Sequence, residues 1–264
     1  MADIITITDA SDARLALYRD VKDRDLSGRE GLFMAEGQVV LERLFRARWC
    51  VCTSVLTTPV RLKNLDISAL AADVPVYVVD QAVMDGVAGF PIHRGYLALG
   101  RYMPPSFSDV VAHAGRIRVM ALSAIANIDN MGGLMRNAAA FGIDAVVIDQ
   151  TCCDPFYRKA IRVSVGGVFQ VPHFRLSGDD TLPAMLQRHD ITAYALSPSG
   201  AIAMDDLVPA QRSAGIFGAE GPGLAAEILD ACTSVQIPMS GGFDSLNVAT
   251  TSGIVLYHMC RDGR

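Results

Sequence analysis

The sequence lacks an apolar run long enough to span a bilayer. It also lacks a basic segment leading into an apolar one at its start, so neither a membrane helix nor a secretory leader is expected, and a cytoplasmic location is. Its six cysteines, Cys50, Cys52, Cys152, Cys153, Cys232 and Cys260, have neither zinc-ribbon spacing nor a Cys-x-x-Cys pair. They read as reduced, structural thiols. No histidine-rich or carboxylate cluster offers ligands, so no metal is expected. Internal repeats and low-complexity segments are absent. Net positive charge is absent too, the balance being −5, which argues against a generally basic nucleic-acid coat. Basic residues are scarcest at the C-terminal end: residues 176–260 hold only Arg188 and Arg212 against nine acidic residues, whereas 11–63 hold ten of the 23 Lys and Arg. A polyanion would therefore be held by the N-terminal part and a few central arginines.

With 264 residues, 51% of them hydrophobic, the chain can bury one large core or two ordinary ones. Up to about residue 100 the pattern predicts a small α/β domain: an exposed helix at 10–23, a strand at 31–36, an amphipathic helix at 37–48 and strands at 49–57, 76–79 and 93–99. Residues 101–116, with Pro104-Pro105, read as a linker. From 117 to 264, strands at 117–122, 145–148, 191–196, 215–217 and 234–237 alternate with helices near 131–141, 156–164, 179–189, 224–230 and 245–260. That alternation predicts a mostly parallel sheet covered on both faces.

Three glycine-containing loops sit just past strands of this second part, the edge where open α/β sheets bind ligands. In the first, Asn130 caps a helix, Gly132 and Gly133 allow close approach, and Arg136 follows in the second turn. An arginine beside Leu134 and Met135 calls for a partner, and a phosphate held bidentately is one. The loop is not Gly-x-Gly-x-x-Gly, and no Gly-Lys-Ser or Gly-Lys-Thr occurs anywhere, so dinucleotide and Walker-type sites are unsupported. In the second, Gly218, Gly221, Pro222 and Gly223 surround Glu220, which is expected to be partly buried and to need a cation or donors, Arg136 being a candidate. The third runs from Ile237 through Pro238, Gly241 and Gly242 to a helix opened by Asp244 or Ser245, with Ser245 and Asn247 at its mouth. Local features alone do not separate this loop from an ordinary strand–loop–helix with Ser245 as a cap.

In order and spacing the three loops resemble those of the SpoU (TrmH) family of RNA 2'-O-ribose methyltransferases, of the SPOUT class. The likeness is carried by Asn130, Gly132, Arg136, Ala138, Phe141 and Gly142, by Gly218 to Leu224, and by Ile237-Pro-Met239 with Ser245 to Val248. A weaker fourth stretch is Arg158 to Gly167. Phe33 to Gly37 and His93 to Gly95 resemble the small RNA-binding domain that precedes the catalytic domain in many members. Two departures stand out: Asn137 occupies a position where the family usually has Thr, and Ala124 to Asn127 replaces the usual Asp-Pro pattern.

The resemblance implies an α/β fold with a small RNA-binding domain at 1–100 and a SPOUT domain at 117–264. That domain carries a deep trefoil knot, binds S-adenosylmethionine and forms a homodimer through its final helix. By analogy the cofactor sits against Leu196, Gly218, Ile237, Met239 and Leu246. Arg136 is the family's catalytic residue, with Asn130, Glu220, Ser245 and Asn247 orienting it and the ribose. RNA contacts are expected from Arg14, Arg19, Lys22, Arg29 and Arg94, then Arg158, Lys159 and Arg162, the last helix placing Arg158 and Arg162 on one face. Ribosomal RNA is favoured over tRNA as substrate. Transfer RNA, and a non-catalytic RNA-binding role for the same fold, are the alternatives, and an α/β enzyme acting on a small nucleotide is a more distant one.

Overall fold

The structure, a computed structural model, describes residues 3–19, 31–88, 95–113, 115–240 and 245–261. The chain divides into two compact units, Met1–Pro104 with Phe156–Gln170, and Pro105–Pro155 with Val171–Arg264. Among the described residues the helices are α1 (Gln38–Phe45), α2 (Pro59–Leu62), α3 (Gln81–Ala88), α4 (Phe107–Val111), α5 (Ile128–Phe141), α6 (Arg158–Val163), α7 (Leu182–Arg188), α8 (Ala226–Ala231) and α9 (Val248–Cys260). None is long and apolar enough to cross a membrane.

The first unit is built on strands β1 (Asp3–Thr6), β2 (Leu32–Glu36), β3 (Cys50–Thr57), β4 (Pro75–Val78) and β5 (Tyr96–Tyr102), in the order β1-β4-β3-β5-β2. β5 runs antiparallel to β2 and β3; β4 is parallel to β1 and β3. Helix α1 buries Val40, Leu41 and Leu44, the spacing read from the sequence. The helix expected at 10–23 is, in its described part, a 3-10 turn, Ala13–Tyr18, pinned by buried Leu15 and by Tyr18, whose hydroxyl lies 2.7 Å from Ser54 Oγ. Chain order alone counts Phe156–Gln170 with the second part of the sequence, yet this segment packs within the first unit. Phe33 stacks on Phe156 at 4.5 Å and on Phe169 at 5.2 Å. Gly100 makes room for the Phe33 ring, since a Cβ there would meet it at 2.4 Å.

The second unit carries a seven-stranded, all-parallel sheet: β6 (Ile117–Leu122), β7 (Ala145–Ile148), β8 (His173–Arg175), β9 (Thr192–Leu196), β10 (Ile202–Ala203), β11 (Arg212–Phe217) and β12 (Thr233–Gln236). The order is β10-β12-β9-β11-β6-β7-β8. β6 and β7 are buried along their whole length, as strands covered on both faces must be. Helix α4, within the stretch read as a linker, buries Phe107 and Val111 in this unit's core. The last strand, β12, is inserted between β9 and β10 although residues 197–201 connect those two directly. Gly200 in that connection passes so close to β12 that a Cβ would lie 2.3 Å from the Val235 carbonyl carbon.

Candidate active site

The carboxyl ends of β9, β11 and β12 open on one edge of the parallel sheet, where the three loops gather. The segments after β9, β11 and β12 enclose a cavity of about 420 Å³, which the first loop meets through Asn130 and Asn247. That volume falls within the usual range for small-molecule sites, roughly 300–1,000 Å³. All five residues expected to hold the cofactor, Leu196, Gly218, Ile237, Met239 and Leu246, line it, and so do Glu220, Ser245 and Asn247. Gly218 cannot carry a side chain, because a Cβ would stand 2.5 Å from the Gly223 carbonyl carbon. The 219–223 loop folds back on itself, the Gly223 N–H donating to Ala219 O, with Gly221 and Gly223 at φ of 87° and 71°. The result is a chamber lined by apolar side chains, the glycine-rich main chain of 218–223 and a few polar groups at Ser197, Glu220, Ser245, Asn247 and Thr251.

At the mouth the side chains converge on Asn247. Its Nδ2 donates to Asn130 Oδ1 at 2.9 Å and to Glu220 Oε1 at 2.8 Å. Its Oδ1 accepts from the N–H groups of Ala249 and Thr250, capping α9. Two expectations are corrected here. Helix α9 begins at Val248 under an Asn247 cap, not at Asp244 or Ser245, so Ser245 is a loop residue at the cavity wall. Helix α5 is capped by Asn127, which accepts from the N–H of Asp129 and Asn130. Asn130 therefore lies inside the helix and buried, its side chain free to accept from Asn247.

Glu220 is exposed rather than partly buried, and its partner is Asn247 rather than Arg136. Arg136 is exposed on α5 and outside the cavity lining; its side chain forms no hydrogen bond or ion pair with the described residues. Asp149 anchors the floor of the first loop, accepting from Ser123 Oγ, from the N–H of Ala124, Thr151 and Cys152, and from Thr151 Oγ1. Burial works against its charge, but the hydrogen bonds from Thr151, Ser123, Ala124 and Cys152 outweigh it and hold the carboxyl below its ordinary range. They also hold Ala124 at a φ of 55°, a left-handed backbone that costs an alanine about 1–2 kcal/mol.

The sequence matches the SpoU rRNA Methylase family over residues 118–257. The chain belongs to that family. An uncharacterized tRNA/rRNA methyltransferase of Mycobacterium bovis is 37% identical over 99% of this chain and 93% of its own length. The 23S rRNA (guanosine-2'-O-)-methyltransferase RlmB of Acinetobacter baylyi is 28% identical over 67% of this chain and 75% of its own. The AdoMet-bound rRNA methyltransferase of Sinorhizobium meliloti superposes with a TM-score of 0.80 at 19% identity, covering 99% of both chains, which shows a shared fold.

Within this SpoU site, sequence reasoning passed over Ser197, Pro198, Leu229, Val235 and Thr251, which also line the cavity. Ser197 and Pro198 directly follow β9, and Thr251 lies one turn beyond Asn247, so strand-end position and helical spacing were available signals. The expected RNA contacts are dispersed. Lys22, Arg29 and Arg94 lie outside the described residues, as do Gly241, Gly242 and Asp244. Arg14 pairs with Asp12, and Arg19 donates to the Ala10 and Asp12 carbonyls, so both guanidinium groups are engaged locally. Arg158, Lys159 and Arg162 sit on α6 in the first unit; Arg162 is exposed with Glu36 at 3.9 Å, and Arg158 reaches Met34 Sδ.

Proposed function

We propose that this protein is an S-adenosylmethionine-dependent RNA 2'-O-ribose methyltransferase. The observation that carries the reading is the Asn130–Asn247–Glu220 hydrogen-bond chain at the mouth of a 420 Å³ cavity in a member of the SpoU family. When bound, S-adenosylmethionine supplies a methyl group made electrophilic by its sulfonium. Leu196, Ile237, Met239 and Leu246 offer apolar walls for it, and the main chain around Gly218 and Gly223 offers polar groups. The acceptor would be a ribose 2'-hydroxyl, which would lose its proton to solvent as it took the methyl group and left the sulfur a neutral thioether. Arg136 is a poor base, because its pKa exceeds about 12. Its role is to clamp the adjacent phosphate and stabilise charge developing on the 2'-oxygen. Asn247 holds both Asn130 and Glu220 through its amide, and with Ser245 these residues orient the ribose.

Ribosomal RNA is the favoured substrate, since the Acinetobacter relative is named for 23S rRNA. The exposed Ile254 and Tyr257 of α9 support homodimer formation through that helix. The insertion of β12 between two directly connected strands supports a knotted C-terminal path. That none of the six cysteines is in a disulfide fits a reducing cytoplasm. The test is incubation with labelled S-adenosylmethionine and total RNA, followed by mapping of 2'-O-methyl nucleotides. Transfer to a ribose is expected, and Arg136→Ala is expected to retain cofactor affinity while losing transfer. Methylation of bases only, or no cofactor binding by calorimetry, would refute the proposal.

A further inference from the structure

One part-buried polar crossing involves Asn137, Ala249 and Ser252, none of which lines the cavity. Asn137 projects from α5 toward α9, and its Nδ2 donates to Ala249 O at 2.7 Å and to Ser252 Oγ at 2.9 Å. Ser252 is fully buried, and its hydroxyl also donates to Ala249 O. An amide nitrogen has two hydrogens, so this side chain donates all it has to one turn of α9. Asn130 and Asn137 are seven residues apart on α5, two turns along one face. Gly133 lies between them, and a Cβ there would be 2.7 Å from Ala249 Cβ, so the two helices meet without a spacer.

Ala249 is the hinge of the arrangement. Its carbonyl is held by Asn137, and its N–H caps on Asn247 Oδ1 at 3.0 Å. The amide of that same Asn247 is divided between Asn130 and Glu220. Both hydrogens of Asn247 are therefore committed, and a small slide of α9 along α5 breaks at least one of the two bonds. We infer that Asn137 is a positioning residue for methyl transfer: by fixing the first turn of α9 against α5, it sets where the Asn247 amide and the Glu220 carboxylate stand. A side chain with one hydroxyl can serve only one of the two acceptors. The inference rests on the proposed function for its kinetic consequence, but not for its geometric one.

The test uses the full-length protein with Asn137→Ala and Asn137→Thr. S-adenosylmethionine binding stoichiometry is measured by calorimetry, and kcat is expressed per bound cofactor. Asn137→Ala is expected to lose at least tenfold in kcat per bound cofactor, with cofactor Kd and RNA KM within about threefold of wild type. Asn137→Thr, keeping one donor, is expected to fall between the two. If activity and binding stoichiometry fall together, leaving kcat per site unchanged, the residue only supports folding and the inference is overturned. Should Asn137→Ala fold poorly, the Thr variant carries the same comparison. Crystal structures give a readout independent of activity: Asn247 Nδ2 is expected to leave Glu220 or Asn130 in the Ala variant, and retention of both contacts overturns the inference. If wild type binds cofactor but methylates no ribose, the proposed function fails while the crystallographic comparison still decides this one.

Discussion

Asn247 does two jobs with opposite ends of one amide, and substitutions can separate them. Its oxygen caps α9 and its nitrogen holds Asn130 and Glu220. Asn247→Ala loses both functions. Loss of an N-cap costs about 1 kcal/mol. For a chain of this size that lowers Tm by roughly 2–4 °C. Asn247→Asp keeps a cap of equal quality but has no donor, and it sets a carboxylate where Glu220 Oε1 now accepts a bond at 2.8 Å. Asn247→Ser keeps the cap without the added charge. A hydrogen bond to a charged acceptor is worth about 1.5–3 kcal/mol, so loss of the Glu220 contact predicts a fall in transfer of roughly 10- to 150-fold. Thermal melts and single-turnover transfer to RNA should therefore rank the variants differently. Stability should run wild type, Asp and Ser together above Ala. Activity should run wild type far above Ser, with Asp at or below Ser from like-charge repulsion. An Asp variant with wild-type transfer would refute the role assigned to the nitrogen.

The remaining predictions concern the scaffold. Arg118 is 6% exposed and donates to four backbone carbonyls, Ile117, Ala210, Gln211 and Met259, tying the end of α9 to the sheet. Arg118→Met fills the stem's volume but strips those carbonyls, and should cost about 3 kcal/mol, seen as a Tm lower by roughly 6–12 °C in calorimetry. Burial pushes the His173 imidazole down to about 4, so the folded protein keeps it neutral. An unfolded histidine takes up its proton near pH 6.5, so acid favours unfolding between about pH 6.5 and 4 and removes up to about 3 kcal/mol. Urea midpoints across that window should fall with pH, and His173→Gln should flatten the slope.

The parallel sheet was legible because β7 is an unbroken apolar run and β6 is apolar at every position but Arg118, both buried along their length. Most of the cavity wall was legible because its residues sit at strand ends or in glycine-rich loops, whereas Leu229 and Thr251 reach it from α8 and α9. The helix starts were not. Asparagine is a good cap wherever it falls, and the chain offers Asn127 and Asn130 together, then Ser245 and Asn247. Only the packed helix shows which oxygen meets the free N–H groups. Strands β8 and β10, three and two residues long, are too short to leave a pattern. Glu220 was paired with the wrong partner because its true one lies 27 residues further on and donates through an amide, where charge logic looks for an arginine. The return of Phe156–Gln170 to the first unit depends on stacking with Phe33, more than a hundred residues away, which no local window records.

The insertion of β12 between β9 and β10 makes the cavity conditional on one strand. Leu196 ends β9, and Ile237 follows β12 directly, so the two walls face each other only while β12 holds its place. Displacing it would dismantle the chamber and leave the pairing of β11, β6, β7 and β8 untouched. The sheet is therefore a scaffold that can outlast its own binding site.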